Sequence, residues 1–250
     1  MKSLTLFLFI IVGIFGACTQ KEVKKEIPTI TLSKVIGSPA YEDASLNLTD
    51  PATIDGGEVS FNFDVENYEL GVQTSDATSN GLANSGKGQH IHFIVDNGPY
   101  SAHYEPSFTK TLEPGSHTIL AFLSRSYHLS VKNKNAFVVQ TINVGDEAPA
   151  SEIDLSASHL FYSRPKGTYE GDDTKKLLLD FYLLNTELSP DGNKVRATIN
   201  GTEFIIDEWA PHQIEGLPLG EVTVKLELID ANGELIDSPF NPVERTVTLK

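Results

Sequence analysis

The sequence predicts an all-β protein built from two tandem immunoglobulin-like antiparallel β-sandwiches. Three observations predict it. Short runs alternate apolar and polar residues with the period of a strand, and no long helical stripe competes with them. Gly, Asn, Asp and Pro turn signals separate those runs, and one residue pattern recurs in the second half of the chain. The 250 residues are 40% hydrophobic and 9% aromatic, enough for two cores and too apolar for a disordered chain. A single cysteine excludes an internal disulfide, a four-thiolate zinc site and a CxxC redox pair. A net charge of −15 would repel a phosphate backbone, so no nucleic-acid partner is expected.

The N-terminus supplies an expected address. After Met1-Lys2-Ser3, the apolar run Leu4 to Ile14 is shorter than the roughly 20 residues of a bilayer-spanning helix, so residues 1–17 read as a signal peptide. Phe15-Gly16-Ala17-Cys18 resembles the lipobox of bacterial lipoproteins, with Phe15 where Leu is favoured. Lipidation at Cys18 and anchoring to a membrane are therefore expected. Residues 18–28, polar and without an aromatic, read as a tether. The tether lacks an acidic run of the kind that resembles a surface-export signal, which points first to an outer-membrane lipoprotein of the cell envelope facing the periplasm and second to surface display.

Beyond the tether, Val59, Phe61, Phe63 and Val65 alternate with polar neighbours as a half-buried strand does. Ile119 to Leu123, Phe137 to Val144, Leu177 to Leu184, Val195 to Ile199, Val222 to Ile229 and Arg245 to Leu249 are likewise short and rich in β-branched or aromatic residues. Turn signals fall at Asn97-Gly98, Pro114-Gly115, Asp191-Gly192, Asn200-Gly201 and Asn232-Gly233. Phe63-x-x-x-Asn67-x-Glu69-Leu70 matches Phe181-x-x-x-Asn185-x-Glu187-Leu188, and Leu112-Glu113-Pro114-Gly115 matches Leu217-Pro218-Leu219-Gly220. The chain therefore divides near residues 145–150 into one sandwich over residues 29–145 and another over 151–250. The first copy is longer between Leu70 and Gly115 by roughly a dozen residues, much of it in the Gly-, Ser- and Asn-rich stretch Gly71 to Gln89.

Five of the seven histidines lie in the first copy: His90, His92, His103, His117 and His128. On a strand, His90 and His92 point to one face, a spacing suited to two imidazole ligands of one metal ion. Aligning Asn97-Gly98 with Asn200-Gly201 sets His92 opposite Val195, and the Pro-Gly register sets His117 opposite Val222. That register turns His90, His92 and His117 inward to one site, which His128 or His103 would complete. A slip of one residue gives the core to Ile91, Phe93 and Val95 and turns the histidine pair toward the 71–89 loop, where it could instead brace backbone. The chain after residue 17 has no Met and only the lipidated Cys, so zinc, copper(II) or nickel would suit such a site better than a blue-copper arrangement.

Ser124-Arg125-Ser126-Tyr127-His128, with Lys132 and Lys134, forms the main basic, hydroxyl-rich patch, where a carboxylate or phosphate could dock. His103, Tyr104, Arg125 and Tyr127 are the expected ligand-binding residues. Trp209 reads as packing or a domain contact. Without a Gly-x-Ser-x-Gly elbow, and with acidic residues spread as solubilising faces, no catalytic residue is assigned and a non-enzymatic binding module is expected, with metal binding as its alternative.

Gly88-Gln89-His90-Ile91-His92-Phe93-Ile94-Val95-Asp96-Asn97-Gly98-Pro99-Tyr100 and Leu112 to His128 resemble a group of Bacteroidota envelope lipoproteins often described as phosphopeptide-binding. More distantly they are similar to a secreted bacterial domain of unknown function with a Gly-His-His-like strand and a Pro-Gly-x-His-Thr turn. The resemblance runs from about Thr29 to the C-terminus. It implies an Ig-like fold, an envelope location, a protein or peptide partner, and His90, His92, His117 and His128 as site positions.

Overall fold

The computed structural model describes residues 29–50, 54–55, 57–145 and 153–250. Cys18, the signal peptide, the tether and most of the inter-repeat segment lie outside the described residues. Along the chain the first copy contains β1 (Thr31–Lys34), β2 (Ser45–Asp50), β3 (Ile54–Asp55), β4 (Glu58–Glu66), β5 (His90–Val95), β6 (Ser101–His103), β7 (Ser107–Thr111), β8 (Gly115–Ser124) and β9 (Phe137–Val144). The second contains β10 (His159–Arg164), β11 (Thr168–Tyr169), β12 (Lys176–Leu184), β13 (Lys194–Ile199), β14 (Thr202–Ile206), β15 (His212–Glu215), β16 (Gly220–Ile229) and β17 (Val243–Leu249). A 3₁₀ turn at Gly171–Thr174 is the only helical element among the described residues.

The protein is all-β and folds as two immunoglobulin-like sandwiches with one wiring. In the first, β4 lies between β2/β3 and β7, and the facing sheet runs β6-β5-β8-β9. In the second, β12 lies between β10 and β15, and the facing sheet runs β14-β13-β16-β17, with β11 pairing parallel to β17. Ala44, Leu46, Phe61, Ile91, Phe93, Ile119 and Leu123 build the first core. Leu160, Leu177, Phe181, Val195, Ile199, Val224 and Leu228 build the second. Burying each large apolar side chain contributes about 1.5–3 kcal/mol.

The repeated Asn has a structural reason. Asn67 and Asn185 both follow the central strand of their sheet, at φ 53° and 50°, a region that Asn tolerates better than most residues. Each turns its amide back to the chain, Asn67 donating to the Asp43 carbonyl and Asn185 to the Leu155 and Ala157 carbonyls. The first copy's excess length falls between β4 and β5, residues 67–89 against residues 185–193 between β12 and β13.

One boundary differs from the sequence reading. β1 falls within residues 29–145, yet its four residues pair with β15 and extend the sheet of the second sandwich. The chain then crosses back, with Val35 N–H donating to the Pro211 carbonyl, before β2 opens the first sandwich. A four-residue strand cannot choose its sheet by local pattern; here the free edge of β15 takes it.

The sandwiches pack face to face. Ile94, Tyr100, Leu120 and Phe122 of the first meet Phe161, Tyr182, Leu184 and Phe240 of the second, with the Phe122 and Tyr182 rings stacked at 4.9 Å. Asn97 reaches across this seam, accepting from Tyr162 N–H at 2.8 Å and donating to the Leu160 and Phe240 carbonyls. Nearby, buried Asp180 on β12 receives Ser130 N–H, Ser130 Oγ–H and the Lys132 ammonium. Trp209 lies against Tyr182 and donates its indole N–H to the Phe181 carbonyl.

Candidate metal centre

The turn after β5 fixes which way the histidines point. Asp96 and Asn97 have φ 50° and 52°, and Gly98 N–H donates to the Val95 carbonyl at 2.7 Å, so the two-residue turn is Asp96-Asn97. In the second copy the turn residues are Asn200 and Gly201. Val95 is therefore the equivalent of Ile199, one position away from the alignment that sets Asn97 on Asn200. Ile91 and Phe93 take the core, with Val95 packed on it, while His90 and His92 point to the other face of β5. That face is covered by the second sandwich and the 71–89 loop, so both imidazoles are fully buried.

There they meet His128 from the turn between β8 and β9, held at φ 70°. His90 Nε2 lies 2.9 Å from His92 Nε2 and 3.1 Å from His128 Nδ1, and His92 Nε2 lies 3.4 Å from His128 Nδ1. An ion at about 2.0–2.1 Å from each nitrogen would stand about 1 Å out of their plane and subtend N–metal–N angles of about 90–110°. The three histidines form the only such cluster of potential metal ligands among the described residues, and it contains no carboxylate.

Outer contacts orient the rings. The Gly88 carbonyl, 2.8 Å from His90 Nδ1, can only accept, so His90 carries its proton on Nδ1 and turns a lone pair on Nε2 inward. Gly88 is at φ +87°, and a Cβ there would meet the Val72 carbonyl oxygen at 2.4 Å. The His92 Nδ1 contact is Ser163 Oγ at 3.2 Å, contributed by β10 of the second sandwich. Tyr100 stacks on His92 at 3.6 Å, and its hydroxyl is 3.3 Å from His128 Nδ1.

Electrostatics keep the imidazoles neutral. Burial pushes His90 down to about 4, with Arg164 adding to the effect. Burial and the neighbouring imidazoles push His92 well below the ordinary range, and burial followed by Arg164 does the same to His128. Neutral imidazole is the form that binds a metal.

His117 is separate. It lies on the inner face of β8, in register with Ile119, Ala121 and Leu123, among the partly exposed first residues of that strand. Its Nδ1 is 2.6 Å from Asp96 Oδ2 and its Nε2 is 2.8 Å from the Glu113 carbonyl. Burial alone would lower its pKa, but the hydrogen bonds to Asp96 and Glu113 and the Asp96 charge raise it. The expectation that it joins His90 and His92 fails because the one-residue shift at the turn puts them on opposite faces of the sheet.

The basic patch is also corrected. Arg125 is buried and spends its guanidinium on the carbonyls of Pro39 and Ser130. Tyr127 is fully buried, its hydroxyl held by Ser38 and Asp76. Both pin the segments around them and are closed to a docking anion. Lys132 is committed to Asp180. His103 and Tyr104 line an open groove with Lys87, Glu105 and Phe108. His103 is stacked on Phe108 at 3.4 Å, and burial with the Lys110 charge lowers it to about 4. Tyr104 touches the cluster, its ring 5.0 Å from that of His90 and its hydroxyl 2.7 Å from Ser85 Oγ.

Sequence reasoning missed Tyr100, Ser163, Arg164 and Lys166. Tyr100 directly follows the Asn-Gly-Pro turn and precedes β6, the strand paired with β5, and that nearness to His92 was the one signal available. The other three come from the second sandwich and had none.

No protein-family model and no curated protein matches the chain. Similar solved structures include fibronectin(III)-like modules of CbhA from Clostridium thermocellum, at 10% identity and TM-score 0.29, covering 82% of this chain and 94% of that one. They also include the SGBP-B protein of the Bacteroides ovatus mixed-linkage glucan utilization locus, solved with a mixed-linkage heptasaccharide, at 10% identity and TM-score 0.24, covering 82% and 70%. The central fibronectin-III array of RIM-binding protein is similar at 10% identity and TM-score 0.26, covering 82% and 68%.

Proposed function

We propose that this chain is a non-enzymatic metal-binding lipoprotein of the cell envelope, whose first sandwich takes up one divalent transition-metal ion, copper(II) or zinc, on His90 Nε2, His92 Nε2 and His128 Nδ1. One observation carries the reading: three imidazole nitrogens converge within 3.4 Å in a buried site that includes no carboxylate. His90 Nε2 already turns its lone pair to the other two nitrogens, and a cation among the three would replace the N–H···N contacts between them with three bonds. Held outward contacts at His90 and His92 favour one ring orientation, the usual role of partners behind metal-bound histidines. A membrane anchor at Cys18 completes the proposal.

The test is elemental analysis and metal titration of protein purified without a histidine tag, beside the His90→Ala/His92→Ala variant. One equivalent bound by the wild type and none by the variant is expected; equal uptake by both refutes the reading. Palmitate labelling lost in Cys18→Ala is the matching test for the anchor, and an unlabelled soluble wild type would remove it.

A further inference from the structure

We propose that the Tyr100 phenol oxygen is the fourth ligand of this centre, making it a closed copper(II) site of three imidazoles and one phenolate; the inference rests on the metal-binding reading above. Tyr100 lies ring-on-ring over His92, 12° from parallel, and its hydroxyl reaches His128 Nδ1 at 3.3 Å. Its oxygen is thus beside one of the three nitrogens, and its ring covers the imidazole that carries another.

Charge points to the same residue. The Arg164 guanidinium and the Lys166 ammonium lie 5.3 Å and 4.2 Å from the Tyr100 ring centre, and Lys166 also donates to the Tyr100 carbonyl at 2.5 Å. Arg164 is 7% exposed, its Nε has no hydrogen-bond partner, and neither cation pairs with a carboxylate among the described residues. A dication entering beside two unpaired positive charges needs an anion. The cluster contains no Asp or Glu, and the Tyr100 phenol is an acidic group whose oxygen is 3.3 Å from one of its nitrogens.

As the oxygen–metal bond forms, the phenol O–H bond breaks and its proton passes to bulk water; no electron is transferred. A mixed nitrogen and oxygen set with two N–metal–N angles of about 90–100° suits copper(II) better than tetrahedral zinc. Closing the fourth position leaves none for a catalytic water, which fits a protein that holds or passes on its ion.

The experiment adds copper(II) to the full chain without a histidine tag and records visible absorption and resonance Raman spectra. In the wild type, a phenolate-to-copper charge-transfer band carrying phenolate ring vibrations is expected. Tyr100→Phe, which keeps the stacked ring, is expected to lose the band and to bind copper at least about tenfold more weakly. A wild type that binds copper through the histidines without that band, or a Tyr100→Phe variant that keeps band and affinity, overturns the fourth ligand and leaves the three-histidine reading standing. A wild type that takes up no copper or zinc overturns both.

Discussion

Asp180→Ala tests whether the two sandwiches form one unit that positions the histidines. Asp180 is fully buried and accepts from Ser130 N–H at 3.2 Å, Ser130 Oγ–H at 3.1 Å and Lys132 Nζ at 2.8 Å. Removing one partner of a buried ion pair costs about 3–5 kcal/mol, because the other charge is left uncompensated. The lower end applies, since Lys132 keeps the Phe181 carbonyl and Ser130 Oγ as acceptors. About 3 kcal/mol corresponds to a fall in melting temperature of about 6–12 °C for a chain of this size. Ser130 is two residues from His128, so the variant is also expected to bind metal more weakly. Replacing both partners with apolar side chains, Asp180→Leu/Lys132→Met, should restore most of the stability without restoring the hold on Ser130. Denaturant melts of the three proteins read the stability, and metal titration reads the site. A single variant within about 1 kcal/mol of wild type, with unchanged metal affinity, would refute the coupling.

Two further outcomes follow from the same geometry. The folded-state pKa values of His90, His92 and His128 are depressed, so below about pH 6.5 the unfolded chain gains protons that the folded protein does not. Stability of the chelator-treated protein is therefore full above that pH and lost as pH falls toward 4, by about 1.4 kcal/mol per imidazole at pH 5.5. Denaturant midpoints that match at pH 7.5 and 5.5, or a His92→Gln variant with the wild-type slope, would contradict this. Gly88→Ala forces a Cβ to 2.4 Å from the Val72 carbonyl oxygen and so displaces the carbonyl that orients His90; metal affinity should fall by about tenfold while the cores keep their cooperative melt. Unchanged affinity would show that the Gly88 contact does not hold the ring.

The strands that pack a core were legible because one face had to be apolar. Phe137 to Val144 and the runs around Phe61, Phe181, Val195 and Val222 occupy strands, and the shared Asn67 and Asn185 occupy equivalent left-handed corners. The histidine register was not legible from the turn motif. Asn97-Gly98 looks like the partner of Asn200-Gly201, yet the left-handed pair in the first copy is Asp96-Asn97. Asn97 takes that place because its side chain is needed across the seam, and Asp96 because it receives Thr118 N–H. The apolar set Ile91, Phe93 and Val95 was the better guide, since burying three large side chains outweighs a one-residue preference at the turn. Arg125 and Tyr127 misled for another reason. Their partners, Pro39 and Asp76, are distant in sequence, so a buried polar clamp read as a solvated patch.

The second sandwich gives no nitrogen to the site, yet the site depends on it. On the outer face of a lone sandwich, His90 and His92 would be hydrated, free to rotate and partly protonated near neutral pH. Packing Phe161, Tyr182 and Phe240 against Ile94, Tyr100 and Phe122 removes that water. It also sets Ser163 against His92 Nδ1 and brings Arg164 and Lys166 up to Tyr100. Desolvation then keeps the imidazoles neutral, and the two cations penalise an ion that arrives without an anionic ligand. Duplication thus supplied a cover: one copy carries the three histidines, and the other sets the dielectric and charge around them.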